Sequence, residues 1–116
     1  MNGPTFKIVE GTTFGFELTW SDANGTPIDI TGCAARFVIC PADSRQVLAE
    51  CSTEDGGITL GGVTGEVTVS LAPGKTAGQA GRQWQGARYE LRLEYASGDA
   101  YSLLRGTVAL EPGLLA

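Results

Sequence analysis

Residues 86–110 read GARYELRLEYASGDAYSLLRGTVAL, and their pattern decides the fold. Tyr89, Leu91, Leu93 and Tyr95 alternate with Arg88, Glu90, Arg92 and Glu94. Successive side chains of a β-strand point to opposite faces, so this segment has one apolar face and one face of interleaved charges. Ser97-Gly98-Asp99 is turn chemistry, and Ala100 to Leu110 returns as a more apolar strand with a break expected at Gly106. The whole is a long β-hairpin. One apolar sheet face cannot hide itself from water, so another part of the chain must cover it.

Working outward, the matching face lies near the N-terminus. In Thr13 to Trp20 (TFGFELTW), Phe14, Phe16, Leu18 and Trp20 share one side, and Thr13, Glu17 and Thr19 the other. Two such faces packed together make the core of a β-sandwich. Burying each large apolar side chain is worth roughly 1.5–3 kcal/mol, so these eight residues are a large share of that core. Thr5 to Glu10 is a first strand. Ser21 to Pro27 is a polar turn, Ile28-Asp29-Ile30 a short strand, and Cys33 to Cys40 a central strand stopped by Pro41. Gln46 to Ser52, Ile58 to Leu60 and Glu66 to Ala72 follow as strands, the last with Val67, Val69 and Leu71 inward. Pro73 to Gln85 is a long glycine-bearing connection with one helical turn expected at Lys75 to Gln79. The expected fold is all-β: a single antiparallel β-sandwich over residues 1–116, closed by the long C-terminal hairpin.

Composition narrows the function. The chain has 116 residues, 42% apolar and 18% charged, as in an ordinary globular domain. Its net charge of −5 and scattered basic residues argue against nucleic acid, which demands a concentrated basic face. Met1-Asn2-Gly3-Pro4 lacks the charged and apolar regions of a signal peptide, and no apolar run approaches a membrane span, so neither export nor membrane insertion is expected. The three cysteines, Cys33, Cys40 and Cys51, read as reduced structural thiols, with a Cys40–Cys51 bridge across a hairpin as the alternative.

No motif calls for catalysis, a cofactor or a metal. Gly74-Lys75-Thr76 ends like a phosphate-binding loop, but the glycine required five residues before Gly74 is Val69. Asp22-Ala23-Asn24-Gly25 with Asp29 resembles a calcium loop without its closing glutamate, and reads as a polar turn. The chain has no histidine, which excludes Ser-His-Asp and Cys-His arrangements. Two features suit protein contacts instead. Trp84 stands outside any alternating pattern, and tryptophan is enriched in interface hot spots; packing of its loop onto the sandwich is the competing reading. Leu114 and Leu115 make an apolar end to the chain, suited to docking on a neighbour or to tucking back.

The order of features resembles the immunoglobulin-like β-sandwich domains of tailed-bacteriophage virion proteins, of the baseplate upper protein and tail-fibre attachment type. The resemblance is carried by Gly11-Thr12-Thr13-Phe14, Trp20, Asp22, Gly25 and Pro27-Ile28-Asp29-Ile30-Thr31-Gly32. It continues in Gly65-x-Val67-x-Val69, Tyr89-x-Leu91-x-Leu93 and Leu104-Arg105-Gly106-x-Val108. It implies a non-enzymatic virion subunit, made in the host cytoplasm, that docks other tail, baseplate or fibre proteins and is oligomeric in the particle. A head-decoration or head–tail joining protein is the variant of that reading. A free carbohydrate- or protein-binding module, using the loops at one end of the sandwich, is the alternative of another class.

Overall fold

The structure, a computed structural model, describes residues 3–79 and 81–115, with Arg82 described by its backbone alone. Met1, Asn2, Ala80 and Ala116, which belong to the N-terminus, long connection and tail named above, lie outside the described residues. The strands are β1 (Phe6–Val9), β2 (Phe14–Thr19), β3 (Ala34–Cys40), β4 (Ala49–Ser52), β5 (Ile58–Leu60), β6 (Glu66–Leu71), β7 (Arg88–Glu94) and β8 (Ala100–Glu111). They form a five-stranded sheet, β1-β8-β7-β3-β4, and a three-stranded sheet, β2-β6-β5. β1 runs parallel to β8; the other pairings are antiparallel. β3, β7 and β8 thus stand where strands C, F and G of an immunoglobulin fold stand, and β2, β6 and β5 where B, E and D do. The chain is an all-β sandwich, as the alternation implied, and its strand order is immunoglobulin-like.

The two expected faces meet. Tyr89, Leu91 and Leu93 are buried beside Ala35, Phe37 and Ile39 of β3, and Val67, Val69 and Leu71 of β6 close over them from the other sheet. Phe14, Phe16 and Leu18 pack on this core but stay half-buried, because β2 is a sheet edge. Five rings bridge the layers. Phe6 lies 4.5 Å from Tyr89, 5.0 Å from Phe14 and 4.7 Å from Phe16; Phe37 lies 5.4 Å from Phe16 and 5.7 Å from Tyr89. Neither β2 nor β7 holds a cysteine, so ring packing stands where antibody domains have an inter-sheet disulfide.

Several expectations are corrected. Ile28-Asp29-Ile30 is not a strand; its backbone is spent on Trp20 and Gly62, through bonds of 2.9 and 3.0 Å. The strand at 46–52 is shorter, starting at Ala49, although the Leu48 N–H still bonds the Ile39 carbonyl. The helical turn begins at Pro73 rather than Lys75, proline being preset for a first helical position. A second 3-10 turn spans Arg82–Trp84. Cys40 and Cys51 cannot bridge: Cys51 pairs with Phe37 and faces the core, whereas Cys40 lies an odd number of residues from Phe37, on the outer face.

The break expected at Gly106 lies instead at Leu103, the extra residue where the β7–β8 register shifts. This bulge changes the phase of β8, so that Tyr101 and Leu103 point inward before it and Leu104, Gly106, Val108 and Leu110 after it. Gly106 has a different task. It lies opposite Tyr89, whose hydroxyl crosses it to donate to the Pro4 carbonyl at 2.8 Å. A Cβ there would sit 2.7 Å from that carbonyl and 2.8 Å from the tyrosine ring. Gly106→Ala is therefore expected to destabilise the domain by about 1–3 kcal/mol, read as a lower urea midpoint. An unchanged midpoint would show that the N-terminal segment gives way freely.

Candidate functional site

At the end of the sandwich where β2 finishes and β7 turns into β8, two loops enclose an aromatic cleft. The first loop leaves β2 at Trp20. Asp22 folds it, its carboxylate accepting the N–H groups of Asn24 (2.9 Å) and Thr26 (3.0 Å), and Gly25 takes the left-handed conformation the turn requires. The chain returns through a bridge between Ser21 and Pro27, and the Ile28 N–H bonds the Trp20 carbonyl. The second loop is the hairpin turn. The Tyr95 N–H bonds the Asp99 carbonyl at 2.8 Å, and Gly98 at φ +97° completes the reversal. The Tyr95 hydroxyl donates to the Asp29 carbonyl at 3.1 Å and ties the loops together.

The cleft so formed measures about 360 Å³ and is lined by Trp20, Ile28, Tyr95, Ser97, Asp99 and Tyr101. The Trp20 and Tyr101 rings lie 5.3 Å apart, and Tyr95 meets Tyr101 edge-on at 6.0 Å and 85°. Tyr101 is 45% exposed. Trp20 and Tyr95 each lie one residue past their strand and continue its inward alternation, which is how the pattern reads them. At this end of the sandwich the inward residues of the two sheets meet at the rim and form the wall of an open cleft. Tyr101 carried no usable signal, because its inward direction depends on the bulge at Leu103.

The interface residues singled out from sequence separate sharply. Trp84 is 3% exposed and closes the core beside the long connection, so it offers no contact surface; packing of its loop is the reading the structure supports. Leu114 and Leu115 are 100% and 93% exposed. The chain leading to them is pinned, since the Gly113 N–H bonds the Glu10 carboxylate at 3.1 Å.

The outer face of the five-stranded sheet holds five of the eight basic residues, interleaved with glutamates. Arg36–Glu50 and Arg92–Glu90 pair at 2.8 and 2.9 Å. Both pairs lie at the solvent surface, Glu90 only partly exposed, and are worth only about 0–1 kcal/mol each. Arg88 is spent on the carbonyls of Pro41 and Ser44.

The suspected motifs are structural. In the GKT segment the buried Thr76 hydroxyl accepts the Gly11 N–H at 2.9 Å and holds the long connection against the β1–β2 turn. The aspartates of the calcium-like loop bond their own backbones: Asp22 as above, and Asp29 with the N–H and hydroxyl of Thr31. Among the described residues no three metal-ligating side chains gather. Burial, then the Asp55 carboxylate, pushes the Cys51 thiol up to about 11, which keeps it protonated and unreactive at neutral pH. No helix among the described residues is long and apolar enough to cross a membrane.

No family model matches the chain, and no curated protein matches it either. Solved structures similar to it include one determined for photo-crosslinking analyses of multimeric cell-adhesive interactions of VGSC beta subunits. That match has 12% identity, covers 95% of this chain and 91% of the other, and has a TM-score of 0.43. Another is the titin domains Z1Z2 in complex with telethonin, at 21% identity and a TM-score of 0.36, covering 92% of this chain and 44% of that one.

Two exposed turn carboxylates set an acid-side prediction. The Thr31 hydroxyl, then its N–H, holds the Asp29 carboxyl below its ordinary 3.8; the N–H groups of Ser52, then Gly57, do the same for Asp55. Each binds its proton less readily folded than unfolded. Its contribution to stability is therefore complete above the unfolded value and fades as pH falls through the lower folded value. The urea midpoint is expected to hold steady at neutral pH and drop below about pH 4, and Asp55→Asn should flatten part of that drop. An identical acid limb in D55N would contradict the assignment.

Proposed function

We propose that this chain is a non-enzymatic docking subunit of a larger assembly, and that the assembly is a tailed-phage virion, with the subunit at the tail tip, baseplate or fibre-attachment point. The virion assignment rests on the sequence features that resemble phage sandwich domains. The docking role rests on Leu114 and Leu115, two large apolar side chains held in full exposure beyond a strand that is itself well anchored. Burying each against a neighbour is worth roughly 1.5–3 kcal/mol, enough for the pair to decide whether a subunit joins.

Geometry directs that contact outward. β8 pairs with β1 up to Glu111, and the Gly113–Glu10 bond continues the anchoring, so the leucines project past the end of the five-stranded sheet. They cannot fold back to the aromatic cleft of their own chain. Tyr101 and Glu111 are ten residues apart along β8, about 33 Å at strand spacing, whereas the four residues from Glu111 to Leu115 reach at most about 14 Å. A head-decoration or head–tail joining role would use the same contact.

The test pairs a solution measurement with a location. The double variant Leu114→Ser, Leu115→Ser should unfold at the wild-type urea midpoint yet fail to enter particles when it replaces the wild-type protein during phage assembly. Immunogold labelling of wild-type particles should mark the tail. A variant that incorporates normally would remove the leucines as the docking element, and particles without label would remove the virion assignment.

A further inference from the structure

We propose that the aromatic cleft at the β2 and β7–β8 end of the sandwich is a binding site for a neutral saccharide. The inference is independent of the docking role of Leu114 and Leu115, which lie at the other end of the molecule.

Position is the first argument. The cleft is built by the loop that follows β2 and the turn between β7 and β8, the B–C and F–G connections of an immunoglobulin fold. In that architecture a rigid sandwich presents these loops side by side, and binding residues concentrate on loops so supported.

Chemistry is the second. The exposed ring of Tyr101 and the indole of Trp20, tilted at 49° to each other, make an apolar wall. Around it stand polar groups that the fold does not use. Among the described residues the Trp20 indole N–H, the Tyr101 hydroxyl and the Asp99 carboxylate make no hydrogen bond, and the Ser97 hydroxyl accepts one bond from the Asp99 N–H while keeping its own proton to donate. The set is mixed: the indole only donates, the carboxylate only accepts, and the two hydroxyls do both. A pyranose ring offers the complement, an apolar C–H face ringed by hydroxyls that both donate and accept.

Other ligand classes fit less of this set. A leucine-like side chain would cover the rings and leave the carboxylate and indole N–H without partners, a costly outcome on burial. A quaternary ammonium centre would satisfy the rings and Asp99 but itself offers no acceptor to the indole or hydroxyl protons. An anion would meet Asp99 and Asp29 on a chain of net charge −5. A volume of about 360 Å³ is at the small end of ligand pockets, suited to one or two sugar rings. The site is also prepared in advance. The Tyr95 hydroxyl is held by the Asp29 carbonyl, which fixes the ring that buttresses Tyr101 and lowers the ordering cost of binding for that part of the wall.

The experiment is a titration of the intact protein with neutral mono- and disaccharides (glucose, galactose, mannose, their N-acetylated amines and short oligomers), followed by the two tryptophan indole N–H resonances. The Trp84 indole is buried in the core and serves as an internal control. At least one sugar is expected to shift the Trp20 indole saturably and leave Trp84 in place. Tyr101→Ala, a change at a half-exposed position, should weaken that binding at least tenfold, and Asp99→Asn several-fold, with both variants retaining the wild-type spectrum elsewhere. The proposal is overturned if no sugar moves the Trp20 resonance, if Y101A binds as well as wild type, or if choline or a leucine-rich peptide saturates the site where sugars do not.

Discussion

The structure depends on five aromatic rings packed between its two sheets. Phe6 and Tyr89 stack within the five-stranded sheet, Phe14 and Phe16 reach in from the three-stranded sheet, and Phe37 meets both Phe16 and Tyr89. The domain has no disulfide across its layers, and this cluster, together with the aliphatic core of Ile39, Val67, Val69, Leu71, Leu91 and Leu93, is what packs them together. Each tilted or stacked pair adds about 0.5–1.5 kcal/mol beyond the area it buries. Other features serve the cluster. Gly106 clears a path for the Tyr89 hydroxyl to reach Pro4, and the parallel pairing of β1 with β8 brings Phe6 into the interior.

The same alternation that builds the core also builds the cleft. The inward positions of β2 are Phe14, Phe16 and Leu18, and Trp20 continues them one residue past the strand; those of β7 are Tyr89, Leu91 and Leu93, and Tyr95 continues them likewise. In the middle of the sandwich each inward side chain meets a partner from the opposite sheet. At the rim Trp20 and Tyr95 both pack against Tyr101, and the outer sides of these rings line a cleft open to solvent. A site of this kind needs no departure from the folding pattern. It is the core continued one residue too far, with turn residues such as Ser97 and Asp99 supplying polar groups at its edge.

That continuity explains what could be read from the sequence. Period-two patterning exposed the Tyr89 face, its Phe14–Trp20 cover and the inward triplet Val67, Val69 and Leu71, because each is local to one strand. Ile28 to Ile30 misled, since its apolar–polar–apolar pattern suits a strand, yet its backbone bonds go to Trp20 and Gly62 on a connecting loop. The burial of Trp84 and the inward turn of Tyr101 were hidden for another reason. One depends on where a long connection lands, the other on a one-residue shift between paired strands, and neither leaves a mark on the pattern of a single segment. The exposure of Leu114 and Leu115 was legible as an alternative and needed the structure to choose it.

The most direct measurement of the central claim is a double-mutant cycle between Phe16 and Phe37, one ring from each sheet, using Phe16→Leu, Phe37→Leu and the double variant in urea unfolding. Ring packing across the layers predicts that the double variant loses less stability than the sum of the single losses, by a coupling of about 0.5–1.5 kcal/mol. Strictly additive losses would mean that the two rings contribute only buried area, with no specific coupling across the layers at this pair.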